Sequence, residues 1–285
     1  MRRELEFTKM HGAGNDFIVL DGIRQELPTD LESLSRRMAD RHFGIGADQV
    51  LVLREATDQG ADIRMDIYDA DGSQVEMCGN GIRVVLKYLR DRGLTEAEEI
   101  GVQTLSGVVR PRWLGDDRVQ VDMGKPILEP AKIPTTLGTG EGPVLDARLE
   151  LGDERLNLSC VSMGNPHAVT VVDDVDAVAI ERLGPAIEQH PAFPNRVNVE
   201  FIQIVDRGRI RQRTWERGTG ETLACGSGAC AAAVVSILRG VVERELTVEL
   251  RGGELALAWP GDASHVLMTG PAAEVFTGRI SIAGG

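Results

Sequence analysis

Apolar and polar residues alternate along this chain with two different periods. In Ile63-Arg64-Met65-Asp66-Ile67 the apolar positions recur every second residue, which predicts a half-buried β-strand. Ile82, Val85, Leu86 and Leu89 fall at i, i+3, i+4 and i+7, which predicts a helix that buries one stripe. Ala229 to Leu238 is apolar nearly all round, the pattern of a helix enclosed on every side. Gly93 and Gly240 stand where capping glycines end these two helices. Gly101 to Met123 and Leu246 to Met268, one stretch after each helix, read as hairpins.

The two helices belong to an internal repeat. Met77-Cys78-Gly79-Asn80-Gly81 recurs 147 residues later as Ala224-Cys225-Gly226-Ser227-Gly228, each copy opening its helix. Gly14-Asn15-Asp16 with the apolar run to Leu20 matches Gly164-Asn165-Pro166 with the run to Val172, at an offset of 150. Asp48-Gln49-Val50-Leu51-Val52 matches Val197-Asn198-Val199-Glu200-Phe201 at an offset of 149. Two copies of a unit with many strands and one central helix predict an α+β fold of two pseudo-symmetric domains. The Pro- and Gly-rich region from Gly124 to Pro143 reads as the linker. A pseudo-twofold axis would bring both Cys-Gly-x-Gly loops to one cleft.

Composition narrows the function. The 285 residues carry a formal net charge of −13 and no basic stripe, which argues against nucleic acid and anionic membranes as partners. No apolar run is long enough for a signal peptide or a bilayer span, so a cytosolic location is expected. Four cysteines (Cys78, Cys160, Cys225 and Cys230) are too few for a disulfide framework, and the absence of any C-x-x-C pair argues against structural zinc. Cys160 in an apolar strand and Cys230 inside a buried helix read as core thiols.

The remaining two cysteines precede helix starts. Unpaired N–H groups there carry partial positive charge and can hold a carboxylate, with glycines allowing close approach. The same field favours thiolate, so both thiols are expected below the ordinary cysteine pKa of about 8.5. Two such loops suit inversion of an amino-acid α-carbon, in which a proton leaves one face and another arrives on the opposite face. Small residues at a helix start also serve packing alone; the duplication is what favours chemistry.

His11-Gly12-Ala13-Gly14-Asn15-Asp16-Phe17, Asp71-Gly72-Ser73 through Gly81, Gly164-Asn165-Pro166-His167, Arg196 to Phe201 and Glu216-Arg217-Gly218 through Gly228 together resemble the diaminopimelate epimerases over nearly the whole chain. The resemblance implies two domains, residues 1–127 with 272–285 and residues 128–271. Each would be a curved mixed or antiparallel sheet or barrel around a central helix. It implies interconversion of LL- and meso-diaminopimelate for lysine and peptidoglycan synthesis, without pyridoxal phosphate or metal, by a cytoplasmic homodimer. Cys78 and Cys225 would be the acid–base thiols, tuned by His167 and Glu216. Backbone N–H groups of Gly79, Asn80, Gly226 and Ser227 would hold the reacting carboxylate. Asn15, Gln49, Asn165, Asn198, Glu216 and Arg217 would bind the rest of the substrate, Arg217 pairing with the distal carboxylate. The chain departs from the family at Asp69, where an asparagine is usual. An aspartate there can accept from an ammonium but repels a carboxylate.

Three other readings compete. A proline racemase or hydroxyproline epimerase has paired thiols but usually reads Cys-Gly-His in the first loop, and gives Asn198 and Arg217 no work. A thiol hydrolase activated by His167 leaves the second cysteine unexplained. A non-catalytic amino-acid or anion binding module would hold its ligand without exchanging the α-proton. A pyridoxal enzyme is disfavoured because no lysine lies in a glycine-rich anion loop.

Overall fold

The computed structural model describes residues 2–138, 142–152 and 154–283. The chain divides into two compact units, Met1–Val121 with Gly270–Gly285, and Asp122–Thr269. The first unit comprises β1 (Arg2–Gly12), β2 (Asn15–Asp21), α1 (Leu31–Ala39), β3 (Gln49–Arg54), β4 (Ile63–Asp69), β5 (Gln74–Val75), α2 (Gly79–Asp91), β6 (Val102–Thr104) and β7 (Gly107–Val109). It also holds the hairpin of β8 (Arg112–Trp113) and β9 (Arg118–Asp122). The second comprises β10 (Val144–Leu151), β11 (Glu154–Ser162), β12 (Pro166–Val171), α3 (Ile180–Glu188), β13 (Asn198–Asp206), β14 (Arg209–Glu216), β15 (Gly220–Thr222), α4 (Gly226–Leu238), β16 (Glu245–Leu250), β17 (Gly253–Ala258) and β18 (Leu267–Pro271). Strand β19 (Ala273–Ala283) then returns to the first sheet and pairs antiparallel with β1 along its length.

The first sheet runs β19-β1-β2-β3-β4-β6-β7, with β5 on β4; the second runs β10-β11-β12-β13-β14-β16-β17-β18, with β15 on β14. The repeat seen in the sequence is a repeat of register. Strands β2 and β3 are parallel, pairing Phe17 with Gln49 and Val19 with Leu51. Strands β12 and β13 are parallel in the same way, pairing His167 with Asn198 and Val169 with Glu200.

Parallel neighbours need a crossover, and α1 and α3 supply it. The sequence reading assigned one helix to each half; these nine-residue helices are additions to it. Helix α1 buries Leu31, Leu34, Ser35, Met38 and Ala39 and is capped by Asp30, whose carboxylate accepts from Ser33 N–H at 3.0 Å. Helix α3 is hard to read because Gly184 and Pro185 interrupt its pattern; Gly184 lets the Trp215 ring lie against the helix.

Both long helices are enclosed. Helix α4 lies against β11, β12, β13, β14, β16 and β17, which explains its apolar surface. Helix α2 buries more than the one stripe expected, because Arg83 and Val84 are also inaccessible. Both helices end as expected: Gly93 and Gly240 adopt φ of 63° and 71°, and Leu94 N–H and Val241 N–H reach back to Leu89 and Ser236 carbonyls.

One expectation needs correction. The segment read as a linker is part of the second unit: Ile133 is fully buried with Leu158, Val199 and Phe201, and Ile127 bridges to Ser162. Its apolar residues, spaced among the prolines and glycines, anchor it to the core. Residues 139–141 of that segment lie outside the described residues. No helix among the described residues is long and apolar enough to cross a membrane.

Candidate active site

Each unit presents a half-site at the start of its long helix. Cys78 and Cys225 are the N-cap residues of α2 and α4, in extended backbone conformation. Each sulfur accepts from the N–H three residues on, Gly81 at 3.5 Å and Gly228 at 3.3 Å. The thiols therefore stand in the place usually taken by a capping hydroxyl or carboxylate.

In the first unit, Asn15 joins the thiol to the turn before β2. Its Oδ1 accepts from Asn80 Nδ2 at 3.1 Å and faces Cys78 Sγ at 3.8 Å. Its Nδ2 donates to Asp48 Oδ2 at 2.8 Å, which fixes which end of the amide meets the sulfur. Asp48 is held by Arg41, which also grips Asp16. Burial pushes the Asp16 carboxyl up, but hydrogen bonds from Arg41 and Lys9 outweigh it and hold the group well below the carboxylate range. Gln49 and Asp69 face each other across β3 and β4, Gln49 Nε2 donating to Asp69 Oδ1 at 2.7 Å. Burial raises the Asp69 carboxyl above its ordinary value, against the lowering effect of Gln49 and helped by Asp71 and Asp48.

The second unit holds a denser set. His167 Nε2 lies 3.0 Å from Asn165 Oδ1, and Nδ1 lies 2.8 Å from Glu200 Oε1, with His167 and Glu200 both fully buried. Asn198 donates to the Pro166 carbonyl and accepts from Arg217 N–H at 2.9 Å. Glu216 accepts from Thr222 Oγ1 at 2.5 Å. The exposed Arg217 guanidinium reaches the Asn195 carbonyl at 3.1 Å. Cys225 Sγ lies 3.5 Å from Ser227 Oγ.

The structure thus gathers Asn15, Gln49, Asp69, Cys78, Gly79 and Asn80 in the first unit. In the second it gathers Asn165, His167, Asn198, Glu216, Arg217, Cys225, Gly226 and Ser227. Cys160 and Cys230 are core residues; burial pushes the Cys160 thiol up to about 12. Asp48, Glu200 and Gln212 also belong to the half-sites although the sequence reading gave them no role. The one charge in the mostly apolar run Val197 to Ile204 was the signal for Glu200.

The expected direction of the thiol pKa is wrong for Cys225. Burial raises it well above the ordinary value, and the Glu216 and Glu200 carboxylates add to the effect. The Ser227 and Gly228 hydrogen bonds act in the lowering direction and are outweighed. Burial and the two carboxylates thus favour the protonated thiol at Cys225. Among the described residues, no group of three or more His, Cys, Asp or Glu side chains is arranged to hold a metal ion.

The family model described as diaminopimelate epimerase matches residues 7–129 and 159–275. A diaminopimelate epimerase of Aromatoleum aromaticum is 52% identical, over 98% of this chain and 99% of that protein. One from Chromobacterium violaceum is 49% identical, over 98% and 100%. Among solved structures, a hydroxyproline epimerase from Agrobacterium vitis superposes with a TM-score of 0.71, covering 98% of this chain and 91% of that one. At 19% identity that likeness shows the fold alone.

Proposed function

Because the chain belongs to the diaminopimelate epimerase family, we propose that it interconverts LL- and meso-2,6-diaminopimelate, with Cys78 and Cys225 as the two proton-transfer groups. The observation that carries this is the duplicated half-site: in each unit a cysteine caps the long helix that follows a parallel strand pair.

In the reaction one sulfur, as thiolate, takes the α-proton; an S–H bond forms as the C–H bond breaks. The electron pair left behind spreads into the α-carboxylate. The other sulfur gives its proton to the opposite face and becomes the thiolate, so that charge and protons balance and the enzyme ends in the mirrored protonation state. Backbone N–H groups of Gly79, Asn80, Gly226 and Ser227 would hold the carboxylate as its charge grows. Asn15, Gln49, Asn165 and Asn198 both donate and accept, which suits a substrate with two zwitterionic ends. Glu216 would neutralise an ammonium, Arg217 would pair with the distal carboxylate, and Asp69 would accept from the distal ammonium. A raised Cys225 thiol fits the proton-donor role at the start of a turnover, with the substrate ammonium available to offset the Glu216 charge when the thiolate forms. The enzyme would work in the cytoplasm as a homodimer, in lysine and peptidoglycan precursor synthesis.

The test is incubation of purified protein with LL-diaminopimelate in deuterated water. Meso product carrying one α-deuterium is expected, with proline left unexchanged. Unchanged LL substrate would overturn the proposal, and exchange into proline would favour the racemase reading.

A further inference from the structure

The two half-sites differ in the layer beneath the helix start. Matching register pairs set His167, Glu200, Thr214 and Gln212 of the second unit against Phe17, Leu51, Ile67 and Met65 of the first. All eight are buried. One layer is wholly apolar; the other contains an imidazole, a carboxylate, a hydroxyl and an amide. The first unit shows that the strand layer beneath a capping cysteine can be built from apolar side chains alone. A buried ion pair is weak evidence for stability in general, so Glu200 calls for another explanation.

Its position supplies one. A Cβ built on Gly228 would lie 2.7 Å from Glu200 Oε1, 3.2 Å from Cys225 Sγ and 3.2 Å from Gln212 Nε2. The carboxylate, the sulfur and the amide thus converge on the first turn of α4, in the space a side chain would take. At the equivalent Gly81 the nearest atoms are the Leu51 methyls, at 3.3 and 3.5 Å. Glu200 Oε2 and Gln212 Oε1 are buried without a hydrogen-bond partner among the described residues. Buried polar atoms are rarely left so without a reason.

We propose that Glu200 is a positioning residue for Cys225: its carboxylate orients the His167 ring through Nδ1 and keeps the adjacent sulfur in the thiol form, making the two half-sites unequal before substrate binds. This rests on Cys225 being one of the two proton-transfer groups. Glu216 on β14 faces the sulfur as a second carboxylate, and Ser227 and the Gly228 N–H face it from α4. His167 on β12 lies one hydrogen bond behind Glu200, and Cys160 on β11 also feels the Glu200 charge. With Nδ1 committed to Glu200, His167 Nε2 faces the Asn165 amide, which can present either its oxygen or its NH2 group.

The experiment is alkylation of the substrate-free, full-length protein by iodoacetamide across pH, followed at each cysteine by peptide mass spectrometry. In Glu200→Gln, which keeps the shape and removes the charge, the Cys225 midpoint is expected to fall by one pH unit or more, about tenfold in thiolate at a given pH below it. The Cys78 midpoint stays in place, and Glu200→Asp stays near wild type. His167→Phe, which copies Phe17, takes away the group that tempers Glu200 and is expected to slow Cys225 alkylation. A folded Glu200→Gln protein with an unmoved Cys225 midpoint, or with both cysteines shifted alike, overturns the proposal. If Glu200→Gln does not fold, unchanged Cys225 alkylation in His167→Phe overturns it. No substrate is present, so failure here is separate from failure of the wild type to exchange the diaminopimelate α-proton.

Discussion

Asp69 and Glu216 hold equivalent places in the two sheets. Val50 pairs with Tyr68 in the first and Val199 with Trp215 in the second; Asp69 follows Tyr68 and pairs with Gln49, and Glu216 follows Trp215 at the end of β14. The residue that departs from the family pattern therefore gives the first half-site a carboxylate where the second already has one.

That carboxylate is expected to cost affinity. Burial raises its pKa, and once ionised it repels the distal carboxylate of the substrate. Like charges in a partly solvated site cost on the order of 1 kcal/mol, so Asp69→Asn should lower KM about fivefold at neutral pH with kcat little changed. In the wild type KM should rise with pH through the Asp69 titration, and in the variant this rise should vanish. Steady-state kinetics as a function of pH, wild type against variant, checks both.

Replacing either sulfur should stop epimerisation. Cys78→Ala and Cys225→Ala should each lose at least about 10²-fold in kcat, with about 1 kcal/mol of stability lost with the cap. Cys225→Ser should keep the cap and the stability yet stay inactive, because a hydroxyl is far too weak an acid. Activity by deuterium exchange and stability by urea unfolding separate the two effects.

Two thiols acting on one carbon should also be able to reach each other. Mild oxidant is expected to inactivate the substrate-free protein, with a Cys78–Cys225 disulfide found by peptide mapping and activity restored by reductant. Full activity after oxidation, or a different cysteine pair in the map, would count against a shared target atom.

The two loops should tolerate alanine unequally. Gly228→Ala drives a methyl onto Glu200 Oε1 and against Cys225 Sγ and Gln212, whereas Gly81→Ala meets Leu51 methyls that can shift by a few tenths of an ångström. Gly228→Ala should lose about 1–3 kcal/mol and most activity, and Gly81→Ala markedly less. Thermal unfolding and kcat of the two variants, compared side by side, decide this.

What the amino-acid order determined by itself is what depends on near neighbours. Apolar spacing and terminal glycines fixed the two long helices, and the duplicated Cys-Gly-x-Gly placed a thiol at the start of each, because capping acts over a few residues of one chain. The repeat matched Asn15 with Asn165, while a binding role for either came from the family resemblance. What only the tertiary structure decided is what depends on partners far along the chain. Helices α1 and α3 are required by parallel strand pairing, and Ile133 is claimed by a core assembled from β11 and β13. The state of Cys225 is the sharpest case. The N–H field of its own helix favours thiolate and is visible in the sequence, but burial and the carboxylates of Glu216 and Glu200, delivered by β14 and β13, act at the same sulfur and prevail. Desolvation and through-space charge follow distance in the fold, not position in the chain.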